Sequence, residues 1–370
     1  MARYPFTPLI ESLPASVPFV GPEAQERVRG RPFRARIGAN ESVFGPSPRA
    51  LAAIRAAAAE AWKYGDPESH DLRHAIAVRH GVSLENVVVG EGIDALLGYT
   101  VRLLVAPGTP VVTSAGAYPT FAYHVAGCGG RLVTVPYRDD REDPEALLAA
   151  ARRERAPLLY LANPDNPMGT WWEAGEVERL IAALPGGTVL ALDEAYGEFA
   201  PEGTLPEVDI ADPRVLRLRT FSKAHGLAGL RIGYVLGEAG LARAFDKIRN
   251  HFGVNRIAQA AALASLRDAG HLERVCGEVR AARARIAAIA GANGLVALPS
   301  AANFVAVDCG GDGAFARRVL EGLLARDVFV RMPGVAPLDR CIRVSAGRGP
   351  DLDLLAAALP EALDEARARS

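Results

Sequence analysis

Between Asp193 and Arg231 the sequence sets out groups able to act together on one small molecule. ALDEAYGEF carries a carboxylate and a phenol (Asp193, Tyr196), and TFSKAHGLAGLRIGY carries a hydroxyl, a primary amine and a guanidinium (Ser222, Lys223, Arg231). The amine stands out because lysine is scarce: of 42 Lys and Arg residues, only Lys63, Lys223 and Lys247 are lysine. An ordinary lysine is a surface cation. Lys223 instead follows an apolar run ending in hydroxyls, and an amine can form an imine with a carbonyl where a guanidinium cannot. Asp193 closes another apolar run, VLALD, where a carboxylate about to be buried needs a cation or a hydrogen-bond partner.

Two further polar clusters lie where apolar runs end. GEGID (Gly90 to Asp94) follows NVVV and opens a helical stretch, so its amides and the helix start suit a phosphate. Taken alone, such a glycine is simply a turn residue. NPDNPMG (Asn163 to Gly169) follows LLYLA, and its two Asn-Pro steps stop the strand and stiffen the loop. An aspartate able to keep a ring nitrogen protonated, a lysine able to form an imine, and Ser, Gly and Arg groups for a phosphate together describe what pyridoxal 5'-phosphate requires.

The elements that must position these groups follow from periodicity. From about residue 86, runs of β-favouring residues (NVVVG, TPVVTS, RLVTVPY, PLLYLA, TVLALDEAY) alternate with helical stretches, the pattern of βα units feeding a mostly parallel sheet covered by helices on both faces. Ligands of such sheets sit at the carboxyl ends of the strands. A long helical pattern runs from Leu241 to about Ala290, and then NFVAVD, a helix, VFVR, CIRVSAG and a closing helix read as a smaller α+β unit. The expected organisation is α/β: an N-terminal arm over residues 1–45, a large cofactor-binding domain over 46–265 and a small C-terminal α+β domain over 266–370.

Composition narrows the partners. A total of 42 basic against 43 acidic residues gives no field for nucleic acid or an anionic membrane, and no run of about 18 apolar residues or signal-peptide pattern occurs. Cys128, Cys276, Cys309 and Cys341 lack metal-like spacing and read as small buried apolar residues, with no metal expected. The chain reads as soluble and cytoplasmic, acting on small molecules. A nicotinamide dehydrogenase would place G-x-G-x-x-G after its first strand. A ligand-controlled regulator would need a helix-turn-helix or basic patch, for which the arm has no room.

These motifs, with ANESVFGPSP, KYGDPESHDLR, YPTF, NHFGVNRIAQAA and CIRVSAG, run through nearly the whole chain, which resembles the fold-type I pyridoxal phosphate enzymes of the class I/II aminotransferase group, in their histidinol-phosphate aminotransferase branch. The resemblance implies a homodimer exchanging an amino group between an L-amino acid or histidinol phosphate and a 2-oxo acid. It implies that Lys223 carries the imine and moves a proton, that Asp193 pairs with the pyridinium nitrogen, and that Asn166 and Tyr196 bond the phenolic oxygen. Phe121 would lie on the ring face. Gly92, Ile93, Asp94, Ser222 and Arg231 would hold the phosphate, and Tyr64 would reach the phosphate in the partner's site. Arg343 would clamp the substrate carboxylate, Asn40 would lie near the substrate, and Arg331 would face a distal phosphate. Decarboxylation and racemisation run on the same scaffold and remain open.

Five positions depart from the family or invite a second role. Glu91 stands where the family has Asn, and must point away from the phosphate or meet a cation. Phe19 stands where a phosphate-binding tyrosine is common, which weakens the expectation of a phosphorylated substrate. Trp171 and Trp172 read as packing residues beside the cofactor loop. His225, next but one to Lys223, has the chemistry of an acid or base that the family mechanism does not require.

Overall fold

The computed structural model describes residues 4–15 and 19–369. Seven strands form the main sheet: β1 (Val87–Gly90), β2 (Pro110–Ser114), β3 (Arg131–Val135), β4 (Leu158–Ala162), β5 (Val189–Asp193), β6 (Val215–Thr220) and β7 (Gly233–Leu236). Their order across the sheet is β1-β7-β6-β5-β4-β2-β3. Every neighbouring pair is parallel except those made by β7, which runs antiparallel to both β1 and β6.

The central strands are continuous apolar runs because both faces are covered. On β4, Leu158, Tyr160 and Ala162 pack with Leu96, Leu97 and Phe121 from helices α1 (Gly92–Leu104) and α2 (Pro119–Gly127). Leu159 and Leu161 point the other way, onto Leu147 and Leu180 of the helices Pro144–Glu154 and Ala174–Ala182. This alternation fixes the register of the strand, and so the place where its loop emerges.

The helical stretch expected from Leu241 to about Ala290 is broken. It forms Ala239–Ala244, a loop through Gly253, Arg256–Leu266, and α3 (Ala269–Ala292). Asn255 starts the second piece by accepting from the Ala258 amide at 2.9 Å, a cap that apolar periodicity alone does not reveal.

A second core lies toward the C-terminus. Strands β8 (Phe304–Asp308) and β9 (Cys341–Ser345) pair antiparallel and are covered by α3, α4 (Gly313–Ala325) and α5 (Gly349–Ala368). Ala35 and Ile37 belong to this core, and Ala35–Arg36 pairs in parallel with Val328–Phe329. The chain before the large sheet is therefore stitched into the C-terminal unit. The Ser345 amide donates to Ile37 O at 2.7 Å, and a Cβ on Gly38 would lie 2.9 Å from the Phe329 ring. Cys309 and Cys341 are buried, whereas Cys128 and Cys276 are only partly so.

Candidate active site

The groups singled out in the sequence converge where β1, β4, β5 and β6 end and the C-terminal unit comes closest. Lys223, three residues past β6, donates from Nζ to Asn40 O at 3.0 Å and lies 5.7 Å from the Tyr196 ring centroid. No carboxylate among the described residues forms an ion pair with it. Burial lowers its pKa to about 8, and the charges of Arg343 and Arg231 push the same way.

Asp193 ends β5 and is buried. Its Oδ2 accepts from the Tyr160 hydroxyl at 2.8 Å and its Oδ1 from the Ala195 amide at 2.9 Å. Burial outweighs these bonds and raises its pKa to about 6. The Lys223 charge acts on it from a distance, but among the described residues it forms no ion pair, and the protonated nitrogen of an aromatic ring would supply a direct partner.

Asn40 joins the three parts of the molecule. Its side-chain amide donates to the Tyr196 hydroxyl at 3.0 Å, its Oδ1 accepts from Ser345 Oγ at 3.0 Å, and its carbonyl accepts from both Lys223 and Asn303 Nδ2, the latter at 3.1 Å. It sits in the left-handed region at φ 55°, where asparagine is among the residues tolerated. Burial drives the Tyr196 phenol well above its usual pKa, so it is a neutral hydrogen-bonding group.

The start of α1 forms a cradle. Gly92 has φ +85°, and a Cβ there would lie 2.6 Å from Arg231 Nη2. On the other side, a Cβ on Gly233 would lie 3.0 Å from the Ile93 amide nitrogen. Both positions keep the backbone bare beside helix amides that have no partner within the helix. Arg231 Nη1 lies 3.4 Å from Ser222 Oγ, closing the rim. Asp94 turns its carboxylate to His124 Nε2 at 3.1 Å, leaving its backbone amide as its contribution to the cradle.

Arg343 stands opposite. Its Nη1 donates to Asn166 Oδ1 at 2.6 Å, its guanidinium lies 5.2 Å from the Phe304 ring centroid, and its Nε is buried with no partner. Burial lowers its pKa to about 10. Arg331 is its direct partner in an antiparallel bridge, which puts two like charges side by side. No carboxylate among the described residues pairs with either. Arg331 is instead capped by Phe19, whose ring centroid lies 4.2 Å from the guanidinium carbon, and it donates to Val20 O at 3.3 Å.

Other expected residues stand apart. Phe121 is 1% exposed and stacks on Tyr160 at 4.5 Å, so its ring is packed into the sheet. Tyr118, three residues earlier, is partly buried, and its hydroxyl feels the charges of Asp94, Asp193 and Arg231. Tyr64 is 77% exposed and packs its ring at a tilt of 37° against Phe252, centroids 4.8 Å apart. His225 is tied to Ser265 Oγ at 2.8 Å on the helix Arg256–Leu266, and burial lowers its pKa to about 4. Trp172 braces the cofactor loop: its amide donates to Asn163 Oδ1 at 2.9 Å and its indole to Glu142 O at 2.8 Å. Trp171 bonds Glu173 at 3.1 Å.

Sequence reasoning missed Tyr160, Ser345, Asn303 and Tyr118. Tyr160 left a signal, since a phenol in the middle of the apolar run LLYLA must find a buried partner. The others are recognisable only in three dimensions.

A partly buried amine in no ion pair, a buried carboxylate, a cradle of bare helix-start amides and a guanidinium with an unpartnered Nε are the needs of an enzyme handling amino acids through a phosphorylated aromatic aldehyde. Residues 36–359 match the family Aminotransferase class I and II, and the chain belongs to that family. Histidinol-phosphate aminotransferase 1 of Mesorhizobium japonicum is 37% identical over 337 residues, covering 89% of this chain and 90% of that one. A crystal structure of histidinol-phosphate aminotransferase from Sinorhizobium meliloti, in complex with pyridoxal-5'-phosphate, is similar at TM-score 0.96 and 59% identity, covering 100% of this chain and 99% of that one. Aspartate aminotransferase from Thermus thermophilus with maleate has TM-score 0.79 at 23% identity over 98% of this chain and 100% of its own, a likeness of fold.

Proposed function

We propose that this protein is a pyridoxal phosphate-dependent aminotransferase moving an amino group between an L-amino acid or histidinol phosphate and a 2-oxo acid. The observation that carries the reading is the Lys223 amine, partly buried and in no ion pair among the described residues, in the same cluster as the Asp193 carboxylate, the cradle at Gly92 and the Arg343 guanidinium. The cofactor, when bound, supplies an electron sink that makes the bonds to the substrate Cα labile.

The chain's own groups do the rest. Asp193 would hold the proton on the ring nitrogen, since its buried carboxylate has no ion-pair partner among the described residues and would gain one there. Gly92, Ile93, Asp94, Ser222 and Arg231 would hold the phosphate. Tyr196 and Asn166 would bond the phenolic oxygen, and Tyr118 is better placed than Phe121 to cover the ring. Lys223, with a pKa of about 8, would move the proton between the substrate Cα and C4′ of the cofactor, as general acid–base catalysis requires. Arg343 would grip a carboxylate by its planar fork.

Arg331 beside Arg343 favours substrates with more than a single negative charge, such as a phosphate monoester or a dicarboxylate. Phe19 fits this reading without a hydroxyl: its ring covers one face of Arg331 and leaves the guanidinium edge to an anion. We also place the protein in the cytoplasm as a homodimer. Exposed Trp62, Tyr64 and Phe252 support the dimer, and the free buried thiols Cys309 and Cys341 suit a reducing compartment.

The test adds histidinol phosphate, then single L-amino acids, to the purified protein while the absorption of its bound cofactor is followed. Conversion to the amine form of the cofactor with histidinol phosphate is expected, and Arg331→Gln should raise the KM for that substrate roughly tenfold or more, as for a lost charge-assisted bond. Release of carbon dioxide, or of the mirror-image amino acid, without that conversion would overturn the reading.

A further inference from the structure

Glu91 is the residue least expected beside an anion site. It precedes Gly92 at the start of α1, and no cation among the described residues pairs with its carboxylate. The side chain turns away from the cradle. Its two oxygens accept from the Tyr99 hydroxyl at 3.1 and 3.3 Å, two turns along the same helix. That hydroxyl in turn accepts from the Asn250 amide at 3.1 Å. The carboxylate also lies against Gly253: a Cβ there would be 1.6 Å from Glu91 Oε1, and its three nearest neighbours would all be Glu91 side-chain atoms. Gly253 does not take up a left-handed backbone, so what its missing side chain makes room for is Glu91. Arg102, one turn beyond Tyr99, donates to Ile248 O at 3.2 Å and fastens the same loop again.

We infer that Glu91 is a positioning residue for the cofactor phosphate: seated between the Tyr99 hydroxyl and Gly253, its carboxylate fixes the turn before Gly92 against the loop 248–253 and so sets the aim of the first amides of α1. It rests on the reading that a cofactor phosphate occupies that cradle. The loop that Glu91 fastens also carries Phe252, the packing partner of Tyr64, so the cradle and the exposed aromatic face are borne on one fastened piece.

A carboxylate close to a phosphate would weaken binding if it acted only by charge. As a clamp it strengthens binding, and the two roles predict opposite signs. The test titrates the full-length protein, freed of cofactor, with pyridoxal 5'-phosphate and separately with pyridoxal, which has the ring and aldehyde without the phosphate. Glu91→Ala should weaken binding of the phosphorylated form about three- to tenfold, the range for one or two lost hydrogen bonds, and leave pyridoxal within about twofold. Tyr99→Phe should do the same more mildly. Gly253→Ala should be impaired, and Glu91→Ala/Gly253→Ala should bind better than Gly253→Ala, because the clash is relieved. Should Gly253→Ala fail to fold, recovery of a folded, cofactor-binding double variant supports the inference equally.

Tighter binding of pyridoxal phosphate by both Glu91→Ala and Glu91→Gln would overturn the inference in favour of simple repulsion. So would equal losses for pyridoxal and its phosphate, or no rescue in the double variant. If the unaltered protein fails to prefer pyridoxal phosphate over pyridoxal, the cradle reading itself falls, an outcome distinct from failure of the clamp.

Discussion

Burial at Lys223 turns a strong base into one that gives up its proton near neutrality. Its charged form is disfavoured, so the pKa falls to about 8 and the neutral amine, the nucleophilic form, predominates above that pH. The rate at which the cofactor-free protein captures pyridoxal phosphate should therefore rise with pH through about 8 and level off beyond it. An exposed lysine would keep gaining toward its ordinary value of about 10.4. Lys223→Ala should abolish both this capture profile and amino transfer, measured by rapid-mixing absorbance and by product formation. Asp193 presents the opposite case. Its pKa is raised, so near pH 7 the folded protein carries an ionised carboxylate that would rather be protonated, and stability falls as pH climbs from the unfolded value through about 6. Asp193→Asn removes that charge and retains an acceptor for Tyr160. Thermal melting of the cofactor-free protein at pH 7.5 should show Asp193→Asn more stable, by up to about 3 kcal/mol, while its amino transfer is largely lost.

At the scale of elements, the segment Ala35–Asn40 ties a distant stretch of chain to the reacting groups. Gly38 lets it press on Phe329 and the Val330 backbone, where a Cβ would lie 2.9 Å from each. Gly38→Ala should cost about 1–3 kcal/mol in melting experiments, as overpacking does. It should also raise KM by moving Asn40 relative to Tyr196 and Lys223. The sheet strands, and the site groups at their carboxyl ends, were legible in the sequence because continuous apolar runs and the polar residues after them are local signals. The antiparallel β7 was not, since strand direction is decided by the return path of the chain. The break between the helices near Gly253 was hidden because helical periodicity persists on both sides of the loop. Asn40 was expected near the substrate from its motif alone, and its tie to Ser345 joins positions 305 apart in sequence, which no window of residues can contain. Phe121 was assigned to the ring face from its motif, but its ring is packed against Tyr160 of the sheet, while Tyr118, at the residue before the helix, stays partly exposed, a choice that only packing reveals.

For the whole molecule, the exposed position of Tyr64 makes the proposed dimer a matter of catalysis as well as assembly. Lys223→Ala subunits keep an intact Tyr64, and Tyr64→Phe subunits keep an intact Lys223. Mixing the inactive Lys223→Ala protein with the weakened Tyr64→Phe protein under conditions of subunit exchange should restore activity, because one site of each hybrid then receives both native groups. Activity no greater than the sum of the parents would show that each chain works alone. Arg331 and Arg343 face each other across a single bridge, and no carboxylate among the described residues pairs with either. Under the proposed reading substrate would be the counterion at this edge of the fold, and a ligand that binds only the folded state adds to its stability in proportion to the logarithm of its concentration. The supply of substrate would then govern how long each molecule lasts as well as how fast it turns over.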